Sequence, residues 1–171
     1  MTYLLPTTPI TTEAEAAKAS KASAIAIFIG VLVGIISAVW TVMHPEIMAE
    51  AVAHAEATTP GAGAMAQSSA QMGMYLAYGL IVIQAIFGFI QWRSPAKWIA
   101  ILFIILIVLG FLMTAAAPML AGMVPNAPVT PMWQIVLSLV ILVVQFLLHI
   151  TGLKAIGKLE KLQLDAANSA Y

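Results

Sequence analysis

Apolar residues are concentrated in four long stretches of this chain, which shorter polar segments separate. The stretches cover about residues 22–43, 72–92, 96–117 and 132–153, and none of them contains Asp or Glu. A helix needs about 20 mainly apolar residues to cross a membrane, and each stretch has that length. The pattern therefore predicts an all-α polytopic membrane protein, in which residues 22–153 form a bundle of four transmembrane helices.

Two polar tails and a long polar loop lie outside the predicted spans. The tails are residues 1–21 and 154–171, and the loop is 44–71. In the loop, apolar and polar side chains fall on opposite faces of a helix beginning at Pro45, which predicts a short amphipathic helix on the membrane surface. The rest of the loop, 58–71, has the composition of a flexible linker. A second loop, 118–131, holds three prolines between residues 123 and 131 and predicts an extended, stiff connection.

The basic residues indicate how the chain is oriented. All 7 Lys and Arg lie in the two tails or in the short turn 93–97, whereas loops 44–71 and 118–131 contain none. Lys and Arg are enriched in cytoplasmic loops, so we expect both termini to be cytoplasmic. Tryptophans at the ends of the spans agree with this orientation: Trp40 and Trp133 for the outer interface, Trp92 and Trp98 for the inner one.

Composition supports a membrane location and excludes several classes of function. Hydrophobic residues make up 62 % of the chain and charged residues 8 %, against about 45–50 % and about 25 % in soluble domains. A net charge of zero gives no basis for nucleic-acid binding. The chain has no cysteine, which excludes disulfides, thiolate metal sites and thiol redox chemistry. These features together fit a bacterial inner membrane.

Small residues recur at every fourth position of the first span. This small-residue ridge consists of Ala22, Ala26, Gly30, Gly34 and Ala38. Because lipid tails are as apolar as leucine, close backbone packing and hydrogen bonds must hold spans together. We expect the ridge to pack against another helix, either a span of the same chain or a neighbouring subunit.

Polar side chains inside the membrane form the second candidate site. They lie in spans two and four and are Gln84, Gln134, Ser138, Gln145 and His149. Such groups are costly in lipid unless they are hydrogen-bonded, so we expect them to face the bundle interior, with Gln84 and Gln145 at similar depth and able to pair. They can act as hydrogen bonds between helices or line a path for a solute.

Metal and cofactor sites receive little support. His44, Glu50 and His54 lie on the outer side with several methionines, a set that suits copper, but no strict ligand spacing occurs. His44 and His149 lie near opposite interfaces and cannot hold one haem between them. We therefore predict no metal and no cofactor, with these three residues kept as weak metal candidates.

The leading functional hypothesis is a non-catalytic membrane subunit that works by assembly. It would be surrounded by membrane lipid and would associate with copies of itself or with other membrane subunits. The alternative is a channel or carrier for a small neutral solute, lined by the Gln/His face. A third hypothesis is an enzyme acting on lipid or quinone, for which His149 is the only plausible acid–base group.

Overall fold

A computed structural model describes residues 6–121 and 131–169. In these ranges the chain forms six helices and no strand: α1 (Glu13–Ser20), α2 (Ala22–Met43), α3 (Pro45–Thr58), α4 (Ala62–Arg93), α5 (Lys97–Ala121) and α6 (Met132–Asn168). Four helical segments are long and apolar enough to cross a membrane, with α1 and α2 together forming the first of them. The predicted all-α membrane fold with four spans is confirmed, and the cytoplasmic location of the termini stays a prediction.

The N-terminal tail contains a helix of its own, because its sequence closes a capping box. The Thr12 hydroxyl accepts the backbone N–H of Glu15, and the Glu15 carboxylate accepts the backbone N–H of Thr12. This reciprocal pair satisfies two donors that the start of a helix leaves unpaired. Lys21 ends α1, and α2 begins at the next residue.

The loop 44–71 is more helical than the sequence pattern predicted. Helix α3 begins at Pro45, as expected, whereas its location on the membrane surface stays a prediction. Helix α4 begins at Ala62, so the prediction of a flexible linker over 58–71 is wrong from that residue onward. Alanine, methionine and glutamine dominate this stretch, and their high helix propensity outweighs its glycines and serines.

Glu56 holds the turn between α3 and α4. Its carboxylate accepts the backbone N–H of Gly61 at 2.9 Å and that of Gly63 at 2.8 Å. Gly61 has φ +84°, a conformation that residues with a side chain rarely adopt. These bonds satisfy donors at the start of α4 and lower the pKa of Glu56 below its ordinary value.

The later spans also extend beyond the predicted limits. Helix α5 passes through Pro118 and ends at Ala121, and α6 continues to Asn168, well past the predicted end of the span at 153. The start of α6 at Met132, directly after Pro131, agrees with the sequence pattern. Residues 122–130, which cover most of the predicted proline-rich connection, lie outside the described residues.

The chain divides into two compact parts. One comprises Met1–Ile29 and Ile86–Tyr171, and the other comprises Gly30–Ala85. In the first part α6 packs against α1 and α5, and the small apolar core consists of Ile27, Ile99 and Phe103, bordered by Phe87 and Ala96. In the second part α2 and α4 approach closely, since a Cβ on Gly34 would lie 2.9 Å from Ile81 Cγ1.

Candidate functional site

The structure buries the N-terminal half of the small-residue ridge most completely. Ala22 and Ala26 are fully buried, whereas Gly30, Gly34 and Ala38 are half-buried. At Ala26 the neighbour is α6 of the same chain, because Gln145 donates a hydrogen bond to the Ala26 carbonyl. In the other compact part, the ridge residue Gly34 lies against Ile81 of α4.

His149 lies at the centre of a buried polar cluster. Its Nδ1 shares a hydrogen bond with the Ser23 hydroxyl at 2.8 Å, and both side chains are at most 1 % exposed. The His149 ring also stacks on Phe103, with ring centroids 5.7 Å apart and planes 11° apart. One imidazole therefore connects the start of α2 with α5 and α6.

Gln145 adds a second hydrogen bond between the same two helices. Its Nε2 donates to the backbone carbonyl of Ala26 at 3.1 Å. Gln145 and His149 are four residues apart on α6 and share a face, and their partners are three residues apart on α2. The two hydrogen bonds follow each other along a contact between antiparallel parts of α2 and α6. We call the four residues that form them the polar ladder: Ser23, Ala26, Gln145 and His149.

Gly152 allows this close approach. A Cβ on Gly152 would lie 2.7 Å from Ser23 Cβ and 2.8 Å from Ser23 N, closer than real Cβ atoms come to other atoms. Glycine is therefore the side chain that permits α6 to contact the backbone of α2 here. The sequence pattern placed the small residues of the contact on α2 alone, but α6 contributes one as well.

The remaining polar residues predicted for the bundle interior are less buried. Gln134 and Gln84 are half-buried, and Ser138 is exposed. Gln84 belongs to the other compact part, and the hydrogen bond that the structure gives Gln145 goes to a backbone carbonyl. The predicted polar face is thus concentrated at Gln145 and His149.

Of the three candidates for metal binding, His44 lies between α2 and α3, and Glu50 and His54 lie on α3. His44 Nδ1 donates to the Trp40 carbonyl at 2.9 Å, and the two rings stack at a centroid distance of 3.9 Å. Glu50 and His54 are exposed on α3. Among the described residues no group of three or more His, Cys, Asp or Glu side chains is placed to hold a metal ion.

Four buried polar residues among those that the structure describes were missed by the sequence analysis: Ser20, Ser23, Gln91 and Thr151. Ser23 lies beside the ridge residue Ala22, and its position one turn before Ala26 was the available signal. Gln91 lies at the end of the second predicted span, where it is fully buried and its Oε1 accepts the backbone N–H of Ala96 at 3.0 Å. Gln91 Nε2 has no hydrogen-bond partner among the described residues.

The chain matches no protein-family model, no curated protein and no solved structure. What the site can do must therefore follow from its geometry. The polar ladder contains a hydroxyl and an imidazole, but both groups are buried from solvent and are hydrogen-bonded to each other. This arrangement fixes helices in a lipid environment, where hydrogen bonds and close packing replace the hydrophobic effect between spans.

Proposed function

We propose that this chain is a non-catalytic integral membrane subunit that acts by assembly, either with copies of itself or as an accessory subunit of a larger membrane complex. The observation that supports it most is the exposure of α4. Only 6 % of the most apolar stretch of this helix is buried inside the chain, against 28 % for α6. A span with so little packing of its own offers most of its surface to lipid or to other subunits.

Two glycines make the exposed surface of α4 suitable for a close helix contact. A Cβ on Gly73 or on Gly79 would meet no atom within 4 Å. Helices in membranes associate where small residues let their backbones approach closely. A partner helix can therefore come closer to α4 at these two glycines than it could at positions with bulky side chains. The ridge on α2 is less available, because Ala22 and Ala26 are fully buried in the chain.

The mass of the particle extracted in a mild detergent tests assembly. We expect light scattering or native mass spectrometry to give a discrete particle larger than one 18.1 kDa chain with its detergent. Gly79→Leu and Gly73→Leu should shift the particle toward the single chain, because leucine holds a neighbouring helix away. Helical content should stay unchanged, since both positions have open space.

Ala115→Leu on α5 serves as the matched control. Ala115 is also an exposed small residue in an apolar helix, so the same increase in size there should leave the particle mass unchanged. A monomeric wild-type particle would contradict the proposal. Equal dissociation by Ala115→Leu would show that α4 is not the specific contact.

The two alternatives from the sequence receive less support from the geometry. A solute path would need Gln145 and His149 to face an open passage, but both are buried and hydrogen-bonded to α2. An enzyme would need His149 to reach a substrate, and its 1 % exposure opposes this. Solute flux into liposomes that Gln145→Leu abolishes, or turnover that His149→Ala abolishes, would favour the respective alternative.

For the orientation, we propose a bacterial inner membrane with both termini on the cytoplasmic side. The support is the distribution of Lys and Arg, all of which flank the same ends of the four spans. On this assignment α3 and the first turns of α4 lie on the outer side.

A further inference from the structure

An open cleft of about 530 Å³ lies at the end of the bundle where α1 meets α2 and α4 ends. Its lining includes Ser20 and Lys21, Phe89, Trp92 and Arg93, and Leu159 of α6. All of these residues belong to the same compact part of the chain. The cleft therefore has two cationic side chains and a largely apolar wall.

The two cations of the cleft lack acidic partners. In the ranges 6–121 and 131–169, neither Lys21 nor Arg93 forms an ion pair, and no Asp or Glu lines the cleft. Two other cations of the chain are engaged by contrast: Lys97 pairs with Glu160, and Lys154 donates to the Pro6 carbonyl at 2.7 Å. The cleft thus carries two positive charges that the described chain leaves unneutralised.

Aromatic and apolar side chains adjoin these charges. Lys21 Nζ lies 4.7 Å from the centroid of the Trp92 ring, in a cation–π arrangement. Phe28 lies beside Trp92, with ring centroids 6.5 Å apart, and Phe89 is 60 % exposed. A ligand that fits both sets of groups has an anionic head and an apolar body.

The position of the cleft along the spans indicates where such a ligand comes from. Lys21 directly precedes the apolar run of α2, and Arg93 is the last residue of α4. Both therefore lie at the boundary between the apolar spans and the polar tails, at the depth of lipid headgroups. Tryptophan beside these cations is also typical of that boundary.

We propose that this cleft binds an anionic glycerophospholipid, with the headgroup phosphate between Lys21 and Arg93 and an acyl chain along Phe89. The guanidinium group of Arg93 can donate two parallel hydrogen bonds to phosphate oxygens, and Lys21 supplies a compact charge. The site does not depend on assembly, because all its groups come from one chain.

Native mass spectrometry of the full chain in detergent tests this site, with phosphatidylglycerol and phosphatidylcholine of the same acyl chains as probes. Phosphatidylglycerol should bind more tightly. Lys21→Gln and Arg93→Gln should each weaken its binding about five-fold, and the double variant about twenty-fold. The binding of phosphatidylcholine, whose choline group offsets the phosphate charge, should change less. Arg93→Lys should retain more binding than Arg93→Gln, since it keeps the charge.

Lys161→Gln is the matched control, because this exposed lysine of α6 lies outside the cleft. It removes the same charge and should leave lipid binding unchanged. Equal loss with Lys161→Gln would show an unspecific charge effect and would overturn the site, as would equal binding of the two lipids. Glycerol 3-phosphate has the phosphate without acyl chains, so effective competition by it at the lipid concentration would assign the cleft to a free phosphate compound instead.

A thermal measurement covers the case in which a variant does not fold. Phosphatidylglycerol should raise the unfolding temperature of the wild-type chain more than phosphatidylcholine does, because a ligand that binds only the folded state stabilises it. No difference between the two lipids would contradict the proposal without use of any variant. The native mass spectra also give the mass of the particle. Loss of lipid binding and loss of assembly are therefore observed separately.

Discussion

The hydrogen bond between Ser23 and His149 shows how a single polar pair can position helices in an apolar environment. Both groups are removed from water, so each needs the other as a hydrogen-bond partner. The Phe103 ring covers one face of the imidazole and limits its rotation. The pair therefore fixes the rotation of α6 relative to the first turn of α2.

Replacing Ser23 with alanine should lower the free energy of unfolding by about 1 kcal/mol. This lies within the range of about 0.6–2 kcal/mol found for hydrogen bonds between membrane helices. Unfolding by SDS in mixed micelles, followed by circular dichroism, measures it. Ser138→Ala removes an exposed hydroxyl from α6 and should change stability little.

A double-mutant cycle with His149→Ala decides whether the pair itself carries the effect. The loss in Ser23→Ala/His149→Ala should be smaller than the sum of the two single losses, because each single change already breaks the same hydrogen bond. Strict additivity would mean that Ser23 stabilises the fold through another contact.

At the scale of helices, glycine has two different roles in this chain. Gly152 lies where α6 contacts the backbone of α2, so there is no room for a Cβ. Gly79 lies on α4 with open space around it. The contrast provides a direct test of close packing, since the same substitution can be made at both positions.

Gly152→Ala should destabilise the chain by about 1–3 kcal/mol, because the added methyl group forces α6 away from Ser23. Gly79→Ala should be neutral or slightly stabilising, since alanine has the higher helix propensity. Both values come from the SDS titration used for Ser23. Equal effects of the two substitutions would show that the approach of α6 to α2 is looser than the structure indicates.

The turn between α3 and α4 should depend on pH through Glu56. Backbone N–H bonds from Gly61 and Gly63 lower the pKa of Glu56, so the ionised carboxylate stabilises the turn above its unfolded-state pKa. This stabilisation should be lost as the pH falls through the lowered pKa of the folded state. Hydrogen exchange of residues 59–64, corrected for intrinsic rates, measures it as a fall in protection.

Glu56→Gln should remove this pH dependence, because an amide does not ionise in the range tested. Glu50→Gln, at an exposed position on the same helix, should leave the dependence intact. The same fall in protection in Glu56→Gln would assign the pH response to another group.

For the whole molecule, the orientation of the chain can be tested cleanly because it contains no cysteine. Single cysteines are placed at exposed positions: Ala14→Cys in the first tail, Ala57→Cys in the outer loop and Ala166→Cys in the last helix. In intact spheroplasts a membrane-impermeant maleimide should label only Ala57→Cys. Labelling of Ala14→Cys or Ala166→Cys before the membrane is opened would contradict the proposed orientation.

The helix limits illustrate which local features a pattern can predict. Pro45 predicted the start of α3, because proline fits the first turn of a helix, and the apolar stretch from residue 132 predicted the start of α6. The start of α4 was missed, since the glycines and serines before residue 72 resemble a linker. There the carboxylate of Glu56 and the positive φ of Gly61 end one helix and begin the next.

The sequence by itself determined the all-α class and the four candidate spans. In lipid, the backbone N–H and C=O groups of an apolar stretch of this length find hydrogen-bond partners within the stretch only if it forms a helix. Only the tertiary structure decided which polar residues meet. Gln145 binds a backbone carbonyl of α2, and His149 binds Ser23, a residue that no pattern singled out. Period and composition fix which residues share a helix face, but which face meets which depends on close packing at residues such as Gly152.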